Sequence, residues 1–502
     1  MTPGFFDAAQ TGLPVDAADF VVVGSGAGGG AAARVLAQSG ARVVVLEEGP
    51  LIETAKLSPV MRHSMATLFR NRGKQAAFGR ATTPLLQGRC VGGTTFVNSA
   101  IIWRLPAQVL ADWHARFGLA EGLPAAALDA AAATIEEEMH VRPVAEGSTA
   151  GRQDLLMRDG AERAHIEGRF LHRNERGCKG SGRCLHGCPN EAKQSTTINY
   201  LKRAAGDGAA IYAHAQVERV LIERGRAAGV SGHIGGSGPA ARGRFRVGAR
   251  KAVVVCASVI QSPNLLRRSG VASPALGEHF MAHPGTTVMG IYPDRVNMWV
   301  GASQGYEAYG LRDTLGVKLE SINVPPEVAA ARFPGVGGRL ARYLERLDHV
   351  ACWSVAVRAE AEGRIRPSRL LGDKVTYNLG ARDVDRLRQG MQRLAEMHFL
   401  AGASEVVTGV HGLPEVISSA DGLRCFDSAP LDPRAYTMMA THLFGGCRAG
   451  ADPARSVVDP SLKVHGLEGL YVMDASIFPT NIGVNPQHSI MTIAALAAQR
   501  LS

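Results

Sequence analysis

Between Asp19 and Gly49 the chain reads DFVVVGSGAGGGAAARVLAQSGARVVVLEEG, and few folds accept that string. Phe20–Val23 reads as a buried strand, the Ala-rich run through Gln38 as a helix, and Ala41–Leu46 as a second strand ending on Glu47 and Glu48. Gly24, Gly26 and Gly29 stand at the strand-to-helix turn with the spacing G-x-G-x-x-G. Gly24 permits the tight turn, Gly26 lets the backbone approach a pyrophosphate, and Gly29 lets helix and strand pack closely. The helix N-terminus offers free N–H groups and positive partial charge to phosphates. Glu47, with Glu48 beside it, can accept hydrogen bonds from ribose hydroxyls. The order strand, turn, helix, strand, acid predicts an α/β fold with a Rossmann-like dinucleotide site. The motif alone does not separate NAD from FAD, but its place near the N-terminus favours FAD as a permanent cofactor.

A length of 502 residues predicts two domains or one discontinuous pair. The net charge of +10 comes mostly from scattered Arg, without an aromatic-interleaved basic patch. That excludes nucleic acid as the expected partner and favours an Arg-rich soluble enzyme. No apolar run approaches the ~18 residues of a transmembrane segment, and the N-terminus lacks the pattern of a secretory signal. Eight cysteines are few for this length, so a reducing, cytoplasmic setting is expected.

A second Gly-rich loop, GRCVGGTTFVNSAIIWR at Gly88–Arg104, pairs Gly92-Gly93 with Thr94-Thr95. Such a backbone can lie flat against a planar ring and its phosphates, or can be a plain turn. Here Gly88, Arg89, Gly92, Gly93, Thr94, Thr95 and Asn98 resemble the first signature of the glucose-methanol-choline (GMC) oxidoreductases. Ile102 departs from it, with Trp103 one place after the usual aromatic. VVVCASVIQSPNLLRRSGV at Val253–Val271 resembles the second signature, with Val259 and Ala272 as departures. By the same resemblance Val217 in AQVERVLIE would contact adenine. GEHFMAHPG looks like a Gly-Glu-Asn-x-x-x-His-Pro segment with His279 in place of Asn. Val97 stands where some relatives tether the flavin through a His, which implies non-covalent FAD.

The C-terminal stretch raises a sharper question. GVNPQHSIMTIAALA, residues 483–497, sets Asn485 and His488 just before an apolar run, which suits either catalysis or helix capping. HLFGGC at His442–Cys447, VMDAS around Asp474 and Ala475, and Asn485-Pro486 resemble the family's C-terminal block, particularly that of cholesterol oxidase. The resemblance implies Asp474 at the flavin ribityl chain and Asn485-Pro486 beside the flavin. Alcohol oxidation needs a proton acceptor and a group that orients the hydroxyl. Counting along the family pattern assigns these roles to His442 and Asn485. His488 falls in the first turn of the terminal helix, where it would line the cavity for substrate or satisfy a backbone group.

GCKGSGRCLHGCPNEAKQST at Gly177–Thr196 carries Cys178, Cys184 and Cys188. An iron–sulfur cluster wants four thiolates and no fourth is near, so no metal is expected. The loop resembles that of the long-chain alcohol oxidases, which implies that it folds over the flavin or the substrate entrance. Lys193 and His186 would then contact ligand or, as the favoured expectation, be solvated loop residues.

The expected organisation is a Rossmann-like FAD-binding domain from 15–110, 206–285 and 436–502. A substrate domain built on an antiparallel sheet and helices would take 111–205, which contains the Cys loop 177–196, and 286–435. Leu387, Met391, Leu394 and Phe399 are expected near one face of a helix, and Gly235–Gly243 as a Gly-rich turn. The expected activity is FAD-dependent oxidation of an apolar alcohol (long-chain, aryl, terpenoid or sterol) to aldehyde or ketone, with O2 or another acceptor. The alternatives are a non-redox lyase of the hydroxynitrile lyase type, an electron-transfer protein built on the cysteine loop, and an NAD-linked dehydrogenase.

Overall fold

The structure is a computed structural model that describes residues 3–235, 242–368 and 372–502. Most of the expected Gly235–Gly243 turn lies outside the described residues. The opening motif folds as its pattern requires: strand Ala17–Val23, helix Ala27–Gln38 and strand Val43–Leu46. The two strands pair in parallel, with Phe20 opposite Val43 and Val23 opposite Leu46. Both are apolar throughout their paired residues because helices and further chain cover both faces of the sheet.

Around them the described residues form an eight-stranded sheet. Its parallel part runs Phe5–Asp7, Ala210–Ala213, Val43–Leu46, Ala17–Val23 and Gly243–Val255. Gly243–Val255 continues antiparallel into Arg226–Ile234 and Ala215–Glu223, and its far end pairs with Leu470–Val472. The terminal helix Gln487–Gln499 packs on Ala27–Gln38. That packing brings residues 485–487 to the Gly-rich turn more than 450 positions upstream.

Among the described residues a second eight-stranded sheet is antiparallel in every strand pair. At its centre Met281–Ile291 pairs with Val350–Val357, which pairs in turn with Val317–Ser321. Helix Ala381–Leu400 covers this sheet with Leu387, Met391 and Leu394, all fully buried. Phe399, expected on that face, is only partly buried, and His398 takes the buried place. Strand Met439–Phe444, which carries His442 and lies in a stretch read as cofactor-binding, pairs into this second sheet. It sets His442 directly opposite His283, beside a register shift between His283 and Pro284. Such bulges re-aim side chains, and this one lies at the cavity described next.

Candidate active site

A cavity of about 550 Å³ opens between the two sheets. Its wall is drawn from most of the motifs singled out above: Gly24, Gly26, Glu47, Glu48, Gly93, Thr94, Asn98, Val217, His442, Asp474, Ala475, Asn485 and Pro486. Gly29, Arg89 and Gly92 support that wall without lining it.

The cradle end is built from backbone. Gly24 has φ of 98°, and a Cβ there would run into the Cys256 carbonyl. A Cβ on Gly29 would collide with the Gly24 carbonyl, which is the close packing its position requires. Gly26 differs: nothing in the protein lies within 4 Å of where its Cβ would be, so its open side faces the cavity. Across from it, a Cβ on Gly93 would lie 3.0 Å from Gly26 Cα. The two Gly-rich loops therefore meet at Gly26 and Gly93. Helix Ala27–Gln38 starts at Gly26 without a side-chain cap, which leaves its first N–H groups to a ligand. A dinucleotide pyrophosphate fits this bare, donor-rich backbone.

Side chains tie the loops together. Ser25 donates its hydroxyl to Glu47 Oε2 at 2.6 Å and accepts the Gly92 N–H at 2.9 Å. Glu47 also accepts the Ser25 and Gly49 N–H groups, at 3.1 and 2.9 Å. Glu48 pairs with Arg70 and, at 3.4 Å, with Arg89. Asp474 accepts from Ser262 Oγ at 2.5 Å, Ser476 N–H at 2.8 Å and Ser258 N–H at 2.9 Å. Burial pushes its carboxyl up and these donors oppose the rise.

The reactive end is built from side chains. His442 Nε2 lies 3.4 Å from Asn485 Nδ2, and His442 Nδ1 lies 3.2 Å from His283 Nδ1. Burial, assisted by the charge of Lys318, lowers His442 to about 3, so the imidazole is neutral at ordinary pH. His283 is lowered well below the usual range by burial, His442 and Lys318. A neutral imidazole in contact with an amide NH2 can accept a proton through Nε2. Asn485 is therefore no helix cap: its side chain meets Lys318 and His442, and the terminal helix begins without a side-chain cap.

The substrate role of His488 is corrected by the structure, which gives the ring its other expected place: it is buried, pairs with the backbone of Ala132, and its Nε2 faces Glu136 at 3.5 Å on helix Ala125–Glu138, away from the cavity. Helical geometry explains this: Gln487 and Ile490, three residues apart, share the cavity face, and His488 is turned about 100° from Gln487. Lys193 and His186 are also corrected, since both are buried rather than solvated. Lys193 Nζ donates to the carbonyls of Phe96, Asn98 and Cys184 at 2.6, 2.8 and 3.0 Å. It thereby fastens the Cys loop to the second Gly-rich loop, with Leu185 on the cavity wall. All eight cysteines are free thiols, and no group of three His, Cys, Asp or Glu among the described residues is arranged for a metal ion.

Sequence reading missed Lys318, Glu307, Glu320 and the pairing role of His283. The available signal was VKLES at 317–321, which puts Lys318 and Glu320 on one face of a strand. Alternation of that kind usually marks a solvated face.

A nucleotide cradle that opens onto a buried imidazole–amide pair defines a flavin-dependent oxidoreductase. The chain belongs to the GMC oxidoreductase family, whose N-terminal model matches residues 21–285 and whose C-terminal model matches 360–494, and its cofactor is FAD. It is 37% identical to a GMC-type oxidoreductase of Mycobacterium tuberculosis over 97% of this chain and 76% of that one. It is 28% identical to long-chain-alcohol oxidase FAO1 of Arabidopsis thaliana over 96% of this chain and 66% of the oxidase. Among solved structures, pyridoxine 4-oxidase from Mesorbium loti superposes with a TM-score of 0.71 at 18% identity, over 96% of this chain and 98% of that one. That likeness is one of fold. Among the described residues no helix is long and apolar enough to cross a membrane.

Proposed function

We propose that the protein oxidises an apolar alcohol to the aldehyde or ketone, with His442 as the base and Asn485 as the group that orients the hydroxyl. The observation that carries this reading is the contact between His442 Nε2 and Asn485 Nδ2 at the cavity wall. An alcohol oxygen set between them accepts from Nδ2 and gives its proton to Nε2. FAD, when bound, supplies the hydride acceptor. A base lowered to about 3 is always in its accepting form at neutral pH but pulls only weakly on a proton.

The apolar substrate class is supported by Val97, Ile101, Leu185 and Ile322 around the cavity and by the similarity to long-chain-alcohol oxidases. In this reading Gly24, Gly26, Gly93 and Thr94 cradle the pyrophosphate, with Gly29 and Gly92 holding those loops in shape. Glu47 and Glu48, the latter braced by Arg89, serve the ribose, and Val217 serves adenine. Asp474 and Ala475 serve the ribityl chain, and Asn98 and Pro486 border the ring. Val97 lies buried on the cavity wall and offers no nucleophile, which supports non-covalent binding. Residues 15–110, 206–285 and 436–502 would form the FAD-binding part, except that Met281–Gly285 and Met439–Phe444 pair into the second sheet, and 111–205 with 286–435 the substrate part. The electron acceptor is O2 or another oxidant.

The test is an anaerobic absorbance titration of the FAD-loaded protein with long-chain, aryl, terpenoid and sterol alcohols, then admission of air. Bleaching by an apolar alcohol is expected, and the speed of colour return separates oxidase from dehydrogenase. A yellow protein that none of these alcohols bleaches overturns the reading.

A further inference from the structure

Glu307 and Glu320 stand directly opposite each other on antiparallel strands Tyr306–Ala308 and Val317–Ser321, and both are buried. Like charges in that register repel. Lys318, which is 1% exposed, lies between them: its Nζ is 2.7 Å from Glu307 Oε2 and 2.6 Å from Glu320 Oε1. Its third contact is Asn485 Oδ1, at 2.6 Å. An ammonium has three donors and no acceptor, so all three of its hydrogen bonds are made. The carboxylates are held from behind. Glu307 accepts from Arg169 Nε and Trp103 Nε1, each at 2.7 Å, and Glu320 from Gln304 Nε2 at 3.3 Å.

We propose that Lys318 is a positioning residue for the reaction: clamped between Glu307 and Glu320, it decides which end of the Asn485 amide faces His442. A side-chain amide can present its oxygen or its NH2 to a given neighbour, and only the oxygen can face an ammonium. Nδ2 is then aimed at His442 Nε2, which must be the unprotonated nitrogen. In that arrangement the ring proton goes to Nδ1, 3.2 Å from His283 Nδ1. With the amide reversed, Oδ1 would favour a proton on His442 Nε2, and that tautomer cannot take the alcohol proton. Lys318 acts through Asn485 and does not touch the substrate. The kinetic consequence rests on the alcohol-oxidation reading, whereas the orientation of Asn485 does not.

The test uses the FAD-loaded enzyme and the charge-matched variant Lys318→Met/Glu320→Gln. This change removes a cation together with an anion and leaves Glu307 with Arg169 and Trp103, so the fold is spared a lone buried charge. Ring-15N histidine NMR, with the His442 signals identified by their loss in His442→Gln, reads the tautomer directly. The expected wild-type form is Nδ1–H, with Nε2–H growing in the double variant. Flavin reduction by the alcohol should fall at least ~10-fold while substrate affinity changes less than about 2-fold, since orientation rather than contact is lost. Lys318→Arg, still a donor-only cation, should restore the wild-type tautomer and part of the rate. A wild-type His442 carrying its proton on Nε2, or an unchanged tautomer in the double variant, overturns the proposal. A changed tautomer with an unchanged reduction rate overturns the positioning role. If no alcohol reduces the wild-type flavin, the alcohol reading falls and the NMR result still decides the orientation.

Discussion

The two ends of the cavity are made in opposite ways. The cradle is backbone: glycines whose missing Cβ atoms make room for a helix, a strand or a ligand, most of them on two elements adjacent in the chain and faced by Gly93 of the second loop. The reactive end is side chain. His442 comes from a strand of the second sheet, Asn485 from the turn before the terminal helix, and Lys318 from a third element. A backbone site tolerates what surrounds it as long as each Cβ is absent. A side-chain site depends on partners far apart in sequence, each deciding the rotamer or tautomer of the next.

The largest test of that contrast is His442→Ala. It should keep FAD bound and slow flavin reduction at least ~100-fold, the scale of a lost general base. Normal reduction in stopped-flow would place the chemistry elsewhere.

At the other end, Gly26→Ala should leave the apoprotein's melting temperature unchanged and weaken FAD binding at least ~10-fold, because the new methyl meets only the space meant for the cofactor. Gly28→Ala should instead impair folding, since its Cβ would strike the Met473 carbonyl. If the two variants lost stability equally, the division between ligand-facing and packing glycines would be wrong.

The third test is pH. Burial lowers His442 and His398 to about 3 and His488 to about 4. Above about 6.5 these rings are neutral in both folded and unfolded chains. As pH falls below that value the unfolded chain takes up protons that the fold refuses, so stability drops until the folded values are reached. Asp154, pushed up to about 6 by burial, takes its proton in the folded state first and offsets one of the histidines. His283, lowered by burial as well, adds to the loss, and Asp474, raised by burial, offsets part of it, so the net change from pH 7.5 to pH 5 should be a loss of stability, read from denaturant unfolding of the apoprotein. Flat stability across that range would mean that these buried histidines are wetter than their burial implies.

The smallest effect is expected from His488→Asn. The ring packs on helix Ala125–Glu138, so turnover should stay within about 2-fold of wild type while thermal stability falls slightly. A large loss of turnover would return His488 to the cavity.

Legibility in the sequence followed the same division. Local signals carried the cradle: Gly spacing, strand and helix periodicity, and the terminal acids all sit within thirty residues and reflect short-range sterics. His442 and Asn485 were legible only through resemblance to a family pattern, because nothing local distinguishes a reactive Asn before Pro from a cap. His488 stayed open because a polar residue at a helix start can face either way, and the packing of the terminal helix on Ala27–Gln38 and Ala125–Glu138 settled which. Lys193 misled because a lysine in a Gly-rich loop looks solvated until three carbonyls converge on it.

By itself the sequence determined the α/β cofactor-binding architecture, the family and the backbone that receives a dinucleotide, since these depend on residue size and spacing along a short segment. Only the tertiary structure decided that the two Gly-rich loops meet at Gly26 and Gly93, that His283 stands opposite His442, and that Lys318 reaches Asn485 between two glutamates. Those contacts join segments up to hundreds of residues apart, and their energies come from burial and charge pairing that exist only once both sheets have closed over the cavity.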